Sequence, residues 1–314
     1  MRICSFLPSA TEILYTLGLG DSVVGVTHEC DFPPEARGTS KVVMSTIDPR
    51  ELSSAEIDRI VSENAKEGKS TYIVEMERLK AARPDLIITQ ELCEVCAVSG
   101  NETANAIEAL GYTPQVVSLY PKNLEEILES IVEVGVATGR ENKAREVVAA
   151  LRSRIDAVRA KLEGERDRPR VFALEWLDPP FVAGHWVPEM VNIAGGDNGL
   201  ARTGESSKRV SWEEVYEFAP QTILVMPCGY DIEDTLREIE TVTADPHWQK
   251  LPAVKKGHAY LVDANSYFSR PGPRIVDGLE ILAHVLHPEI IENSPPANAV
   301  LNLRNYLHFQ YHLG

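Results

Sequence analysis

The chain has 314 residues, a formal net charge of −16 and an apolar content of 44%. This length is enough for two hydrophobic cores, so two domains are expected. The acidic balance argues against a surface that binds nucleic acid or anionic lipid, because both require a basic face.

The cysteine count and the N-terminal sequence predict a compartment. Five cysteines, an odd number in a chain this long, do not suggest a disulfide scaffold. The sequence starts directly on an apolar strand, without a signal core, a cleavage site or a run long enough to insert into a membrane. We therefore expect a cytoplasmic protein, or an extracytoplasmic one if a leader has been removed.

The first half of the chain alternates short apolar strands with amphipathic helices. Strands are predicted at 2–7, 23–27, 86–89 and 116–119, with helices at 9–18, 101–110 and 123–137. Such alternation predicts a parallel sheet covered on both faces. We assign residues 1–139 to an N-terminal α/β lobe, with a polar insertion at about 45–75 that is helical from 53 to 65.

A long amphipathic helix follows this lobe. Its apolar residues recur at spacings of three and four, which define one stripe: Ala144, Val148, Leu151, Ile155, Val158 and Leu162. We predict a stiff connecting helix over residues 140–166.

The second half repeats the α/β pattern over residues 167–288, and a tail covers 289–314. Strands are predicted at 171–176, 222–226 and 259–262, and the apolar tail is expected to dock on a lobe or on a partner. The predicted fold is thus α/β, with two Rossmann-like lobes of parallel strands, one long rigid helix joining them, and a ligand cleft between.

One short pattern occurs once in each lobe. A glutamate near the start of an amphipathic helix precedes a proline by seven residues, at Glu77 and Pro84 and again at Glu213 and Pro220. An apolar strand follows each proline. The repeat predicts two equivalent helices, each with an acidic residue at its start.

Several segments carry a resemblance to a known family. They are Leu7–Glu12, Val24–Val26, Asp31–Pro34, Arg83–Ile88, Pro179–Phe181, Gly195–Asn198 and Arg270–Ile275. In this order and spacing the chain resembles the helical-backbone metal receptor superfamily, the class III substrate-binding proteins of cobalamin and iron–siderophore importers. It looks most similar to the cobalamin-binding branch.

The resemblance implies a function and a partner. In that family a ligand lies between two lobes that one rigid helix holds apart, and a glutamate on each lobe docks onto arginines of the transporter's membrane subunits. Glu77 and Glu213 fall on those docking positions. Two fixed carboxylates would give an orientation-specific contact, although acidic residues also favour any helix N-terminus.

Candidate ligand residues follow the carboxyl ends of the predicted strands, where open parallel sheets bind ligands. Aromatic rings would cover a flat macrocycle, Arg270 would pair with a polar ligand group, and His28 or Glu29 would reach its metal. Glu29 stands where the cobalamin binders place an aromatic residue. The candidates are Pro8, His28, Glu29, Trp176, Phe181, Trp186, Tyr267 and Arg270.

A second metal hypothesis rests on thiols. Cys93 and Cys96 form a Cys-x-x-Cys pair, and Cys30 and His28 supply the donor types that zinc prefers. The alternative is that these are reduced thiols that line or support a pocket.

Together with the residues of the predicted cleft, the resemblance implies a solute-binding protein for a corrinoid or related metal chelate, without a catalytic cofactor and without turnover, and with an ABC transporter permease as a partner. No phosphate loop, nucleophile elbow or metalloprotease helix is found. The alternatives are a cytoplasmic metal or corrinoid sensor or chaperone that uses cysteine and histidine donors, and a metal-dependent enzyme with Glu29 as its acid–base residue.

Overall fold

The structure, a computed structural model, describes residues 1–90 and 100–313, with side chains described over 1–90 and 102–309. Two six-stranded sheets form its framework, one in each lobe.

The first lobe holds a sheet of order β4-β3-β2-β1-β5-β6. Its pairs are parallel except for the antiparallel β3–β4 pair at one edge. The strands are Ile3–Ser5 (β1), Val23–Thr27 (β2), Lys41–Ser45 (β3), Tyr72–Val74 (β4), Leu86–Gln90 (β5) and Gln115–Leu119 (β6). The helices are Pro8–Thr16 (α1), Ser54–Glu67 (α2), Met76–Ala82 (α3), Gly100–Leu110 (α4) and Leu124–Ala137 (α5).

The connecting helix α6 runs without a break over Glu141–Lys161. Gly135 of α5 leaves space for the close approach of Ala144, where a Cβ on the glycine would collide. Arg154 of α6 donates to two carboxylates of the second lobe, to Glu280 at 2.8 and 2.9 Å and to Asp277 at 2.5 Å. One continuous buried cluster includes the α6 stripe and core residues of both lobes. The helix therefore fastens the lobes through packing as well as through the chain.

The second lobe holds a sheet of order β12-β11-β10-β7-β8-β9. Only the β7–β10 and β10–β11 pairs are parallel. The strands are Val171–Trp176 (β7), Phe181–Val182 (β8), Lys208–Arg209 (β9), Thr222–Val225 (β10), Ala259–Val262 (β11) and Val300–Asn302 (β12). The helices are Val187–Ile193 (α7), Trp212–Phe218 (α8), Ile232–Thr243 (α9), Pro252–Lys256 (α10), Ala264–Tyr267 (α11), Ile275–Leu286 (α12) and Leu303–Leu313 (α13).

The predicted two-lobed α/β fold is confirmed, with one correction. The sheets are mixed, because short antiparallel strands extend their edges. One of these strands belongs to the tail: Val300 to Asn302 pair with β11, and Leu303 is buried in the core of the second lobe. No helix in the described ranges is long and apolar enough to cross a membrane.

The repeat extends to atomic detail. Glu77 and Glu213 are each the second residue of a seven-residue helix, and Arg83 and Ala219 end those helices in the left-handed conformation. In each lobe an arginine just before the first strand donates its Nε to the last helical carbonyl, Arg2 to Ala82 at 2.6 Å and Arg170 to Phe218 at 2.9 Å.

The arginine backbones take part in the same repeat. The carbonyl of Arg2 accepts from the amides of Asp85 and Leu86, and the carbonyl of Arg170 accepts from those of Gln221 and Thr222. Each helix is thus fixed to the central strands of its own lobe by the same set of arginine hydrogen bonds.

Candidate functional site

The carboxyl ends of the parallel strands of both sheets meet at the boundary between the lobes. Helix α1 and the loop after β2 of the first lobe contact the segment between α11 and α12 of the second. Helix α2 contacts β7, β9 and α9. We call this boundary the interlobe cleft. It is the place where an open α/β sheet binds ligands.

A buried charge cluster closes one part of the cleft. Arg270, only 6% exposed, donates Nη1 to Glu12 at 3.3 Å and to Asp31 at 2.5 Å. Its Nη2 donates to the Glu29 carbonyl at 3.1 Å and to the Asn265 side chain at 2.8 Å. In this structure the guanidinium therefore binds protein groups of both lobes.

A second arginine completes this cluster. Arg274 donates to both carboxylate oxygens of Glu12, at 2.5 and 2.9 Å, and lies 4.0 Å from the ring centre of Phe32 and 5.9 Å from that of Tyr267. Glu12 is 2% exposed, so its charge is balanced by the two arginines rather than by water.

The cluster affects the ionisation of Asp31. Burial acts to raise the pKa of this carboxyl, but the hydrogen bond and charge of Arg270 and the charge of Arg274 outweigh burial and hold the pKa below its usual value. Asp31 is therefore a carboxylate at neutral pH.

Helix α2, from the predicted insertion, bridges another part of the cleft. The Ser54 amide at its N-terminus donates to Glu238 at 2.6 Å, and the Trp176 indole donates to the Ser54 carbonyl at 3.1 Å. Farther along, Asp58 accepts from Arg209 at 2.6 Å. A carboxylate from the second lobe thus binds a helix N-terminus of the first, where the helix dipole favours a negative charge.

The loop after β2 carries the predicted metal-reaching residues. His28 and Glu29 are half-buried neighbours, with His28 Nε2 and Glu29 Oε1 3.9 Å apart. Tyr72 donates its hydroxyl to Glu29 at 3.2 Å, and its ring centre lies 6.1 Å from that of His28. His28 Nδ1 is buried and has no hydrogen-bond partner in the described part of the chain.

The predicted aromatic residues divide into two groups. Trp176, Phe181 and Tyr267 are half-buried. Trp176 bonds helix α2 of the first lobe, and its ring is edge-on to the buried Tyr230 at 5.5 Å between ring centres. Phe181 and Tyr267 lie near Arg209 and Arg274, the two arginines that pair with carboxylates of the first lobe. Trp186 is 5% exposed, belongs to the core and donates its indole N–H to the Phe268 carbonyl at 2.8 Å. Its ring is enclosed by protein.

Pro8 and the thiols complete the predicted set. Pro8 is the half-buried first residue of α1. Cys30 is 1% exposed, its Sγ lies 3.1 Å from the Thr11 hydroxyl, and burial raises its pKa. Cys93 and Cys96 lie outside the described residues. Among the residues that are described, no three His, Cys, Asp or Glu side chains are grouped to hold a metal ion.

The sequence reasoning missed several residues at this boundary. Glu12, Asp31 and Glu238 contact the opposite lobe, as does Glu189, which accepts from the Leu124 amide at 2.8 Å. His185, next to the predicted Trp186, was expected to face solvent, whereas its side chain is half-buried and its Nδ1 is enclosed. A signal existed only for Glu12 and Asp31, which lie inside the segments that carried the family resemblance.

The two glutamates of the repeat are exposed on the outer helices α3 and α8. Glu213 Oε1 lies 3.9 Å from Nε2 of the His247 imidazole. Neither carboxylate lies in the cleft.

Comparisons with known proteins agree with one another over most of the chain. Residues 3–266 match the family described as periplasmic binding protein. An uncharacterized ABC transporter substrate-binding lipoprotein, YvrC of Bacillus subtilis, is 27% identical over 92% of this chain and 80% of its own length. The vitamin B12-binding protein of Vibrio cholerae is 25% identical over 89% and 86%.

Solved structures show the same fold. The periplasmic vitamin B12-binding protein BtuF of Vibrio cholerae superposes with a TM-score of 0.66 at 25% identity, covering 93% of this chain and 98% of its own. The periplasmic heme-binding protein RhuT of Roseiflexus sp. RS-1 superposes with a TM-score of 0.68 at 23% identity over 91% and 98%.

These comparisons correct one prediction. The expected cytoplasmic location is wrong, because the matching family is periplasmic and the relatives include a substrate-binding lipoprotein. The thiol count and the N-terminal sequence were not sufficient to assign the compartment.

Proposed function

This chain belongs to the periplasmic binding protein family, and on that premise we propose a function for it. We propose that it binds a corrinoid or a related metal chelate in the interlobe cleft and delivers this ligand, chemically unchanged, to an ABC importer. The observation that carries the proposal is the similarity to vitamin B12-binding proteins over 89% of the chain.

The residues of the cleft suit a flat, largely apolar ligand with a metal at its centre. Trp176, Phe181 and Tyr267 offer half-buried aromatic surface. Covering such rings contributes binding energy with few polar requirements. His28 and Glu29 add donors of the kind that reach a metal from one side.

Arg270 and Pro8 have supporting roles in this proposal. Arg270 orders the Glu29 backbone through its hydrogen bond to that carbonyl, and Pro8 starts the helix that carries Glu12. A polar group on the ligand would compete with Asp31 for the same guanidinium, since Asp31 remains partly exposed.

Ligand titrations test the proposal. Purified protein is titrated separately with aquocobalamin, cobinamide, haemin and zinc chloride, with absorbance and equilibrium dialysis as readouts. We expect saturable binding of a corrinoid or of haemin at one equivalent. Tight zinc binding without uptake of either chromophore would favour the Cys30, Cys93 and Cys96 hypothesis instead and would refute the chelate proposal.

A matched pair of variants places the ligand. Trp176→Ala removes cleft aromatic surface, and we expect affinity to fall about tenfold to a hundredfold, from about 1.5–3 kcal/mol for a buried side chain of this size. Tyr216→Ala removes a ring that is 48% exposed on the outer helix α8 and should leave affinity unchanged. Equal ligand affinities of the two variants would show that the ligand does not bind in the cleft.

We further propose that Glu77 and Glu213 contact cationic residues of the importer's membrane subunits. Both are exposed and occupy the same position on equivalent helices. Reversing either charge to lysine should reduce ligand uptake in proteoliposomes that contain the cognate importer while ligand affinity stays constant. Glu146→Lys, on the exposed face of α6, is the control. Uptake that resists both reversals would refute the contact.

A further inference from the structure

The equivalent helices α3 and α8 have the same pattern of exposure. In each, the second, third, fifth and sixth residues are exposed and the fourth is buried. The buried fourth residues, Leu79 and Val215, belong to the cores of their own lobes. The left-handed residues Arg83 and Ala219 end the two helices at the same place. The exposed positions of one helix can therefore be compared one by one with those of the other.

The side chains at these positions carry opposite charge. Helix α3 presents Arg78 and Lys80 beside Glu77, and the exposed Arg83 follows its last turn. Helix α8 presents three glutamates and no basic residue, with Tyr216 at the position of Lys80. Only the glutamate at the second position is common to both. Two helices on the same backbone frame thus present a mostly basic face and an acidic one.

Neither composition nor helix stability explains this difference. The chain as a whole has a net charge of −16, so a mostly basic helix is opposite in sign to its average. The helix dipole favours acidic residues in the first turn and basic residues in the last. Arg78 lies in the first turn of α3 and Glu217 in the last turn of α8, where the dipole disfavours both.

Some of these charges have structural roles and others are available to a partner. Arg78 donates to the Lys41 carbonyl at 3.0 Å, and the Glu214 carboxylate caps its own helix. By contrast, Lys80 and Glu217 are exposed, and their side chains form no hydrogen bond or ion pair in the described part of the chain. Tyr216, next to Glu217, is 48% exposed. Carboxylates beside an exposed ring suit arginine, which pairs with the first and stacks on the second.

We propose that the membrane partner of this protein has two chemically different halves. The half that meets α8 presents basic side chains, and the half that meets α3 presents acidic side chains around the cation that receives Glu77. This inference rests on the proposed docking of Glu77 and Glu213 and adds to it the kind of partner. Two identical subunits would present one surface to both helices, so one helix would face like charge. The protein therefore docks in a single orientation.

An anionic lipid surface is the other acidic surface that could face α3. The net charge of −16 opposes adsorption of this chain to such a surface. An exposed carboxylate, Glu77, also lies among the basic residues of α3. A protein surface with charges of both signs fits this face better than a layer of phosphate headgroups.

Single charge reversals test the two halves by the sign of their effect. Fluorescently labelled protein is titrated onto right-side-out membrane vesicles of the source organism at low ionic strength. Lys80→Glu should weaken binding about tenfold, because a carboxylate then faces acidic side chains, and Glu217→Lys should weaken it by a similar factor. If both halves are basic, Lys80→Glu binds more tightly. Tighter or unchanged binding of Lys80→Glu overturns the inference.

A matched control separates local from overall charge. Lys143→Glu, on the exposed face of α6, makes the same change in net charge as Lys80→Glu and should leave binding unchanged. All three substituted side chains are exposed, so the melting temperatures of the variants should equal that of the wild type. An equal loss of binding in Lys143→Glu and Lys80→Glu would overturn the assignment to α3.

Photocrosslinking identifies the two halves directly. p-Benzoylphenylalanine replaces Ala81 in one variant and Tyr216 in another, which removes no charge from either helix. After irradiation in the same vesicles, crosslinked peptides are sequenced by mass spectrometry. We expect importer peptides of different sequence, rich in Asp and Glu from position 81 and rich in Lys and Arg from position 216.

The outcomes separate this inference from the docking proposal. One importer peptide common to both positions overturns the inference and leaves docking standing. Lipid adducts alone at position 81 also overturn it, in favour of an anionic membrane surface. Absence of importer peptides at both positions refutes the docking proposal itself and this inference with it.

Discussion

Replacing Arg270 with methionine is expected to destabilise the protein substantially, because the guanidinium connects the lobes at a buried site. The substitution keeps much of the apolar volume and removes four hydrogen bonds, to Glu12, Asp31, Asn265 and the Glu29 carbonyl. All but Asn265 belong to the opposite lobe.

The size of the destabilisation depends on the interactions that Glu12 and Asp31 retain in the variant. Breaking a buried ion pair by removing one partner costs about 3–5 kcal/mol. Glu12 retains two bonds from Arg274, and the Asp31 side chain, 39% exposed, can regain water. We therefore expect the lower end, about 3 kcal/mol, or about 6 °C in melting temperature at about 2 °C per kcal/mol for a chain of this size.

Urea unfolding and calorimetry measure this difference. The control is Arg145→Met, since Arg145 pairs with Glu141 on the exposed face of α6 and its loss should cost less than about 1 kcal/mol. A loss for Arg270→Met no larger than that for Arg145→Met would refute the reasoning.

The pH dependence provides a second check. The folded-state pKa of Asp31 is depressed, so its contribution to stability is complete above the unfolded pKa of about 3.9 and is lost as pH falls through the folded value. The stability gap between wild type and Arg270→Met should therefore be constant near neutral pH and narrow below about pH 4. A gap that widened in acid would contradict the assignment of Arg270 as the partner.

Two further predictions concern α2 and the thiols. Glu238→Gln removes the negative charge at the α2 N-terminus, so limited proteolysis should cleave residues 46–70 faster. The control Glu240→Gln, on the exposed face of α9, should leave the cleavage rate unchanged. Equal rates for the two variants would show that the bond between Glu238 and the Ser54 amide does not restrain α2. Burial raises the pKa of Cys4 to about 12 and also raises that of Cys30. Brief alkylation of native protein at pH 8, read by peptide mass, should therefore label the partly exposed Cys228 before Cys4 and Cys30; early labelling of Cys4 or Cys30 would contradict their burial.

The sequence predicted the elements whose signals are periodic and local. The apolar stripe from Ala144 to Val158 was sufficient for α6, and the glutamate-to-proline spacing located α3 and α8. The strands β8 and β9, of two residues each, are too short to show alternation and were missed.

The candidate site was predicted less completely, for a physical reason. Arg270 was identified, but its ionic partners lie 239 and 258 residues away in sequence, and no local pattern encodes such a pairing. The left-handed backbone of His185 depends on hydrogen bonds to Gly204 and Glu205, about twenty residues downstream. Propensity alone would not place a histidine there.

The pair of arginines at the starts of the two sheets has a consequence for recognition from outside. Because Arg2 and Arg170 fasten α3 and α8 to the first strand of their own lobes, neither helix can shift independently of its sheet. The span between the two helices then varies only when one lobe moves as a body relative to the other. A membrane complex that binds both helices at once would therefore respond to that movement. It could distinguish ligand-bound from ligand-free protein without contacting the ligand.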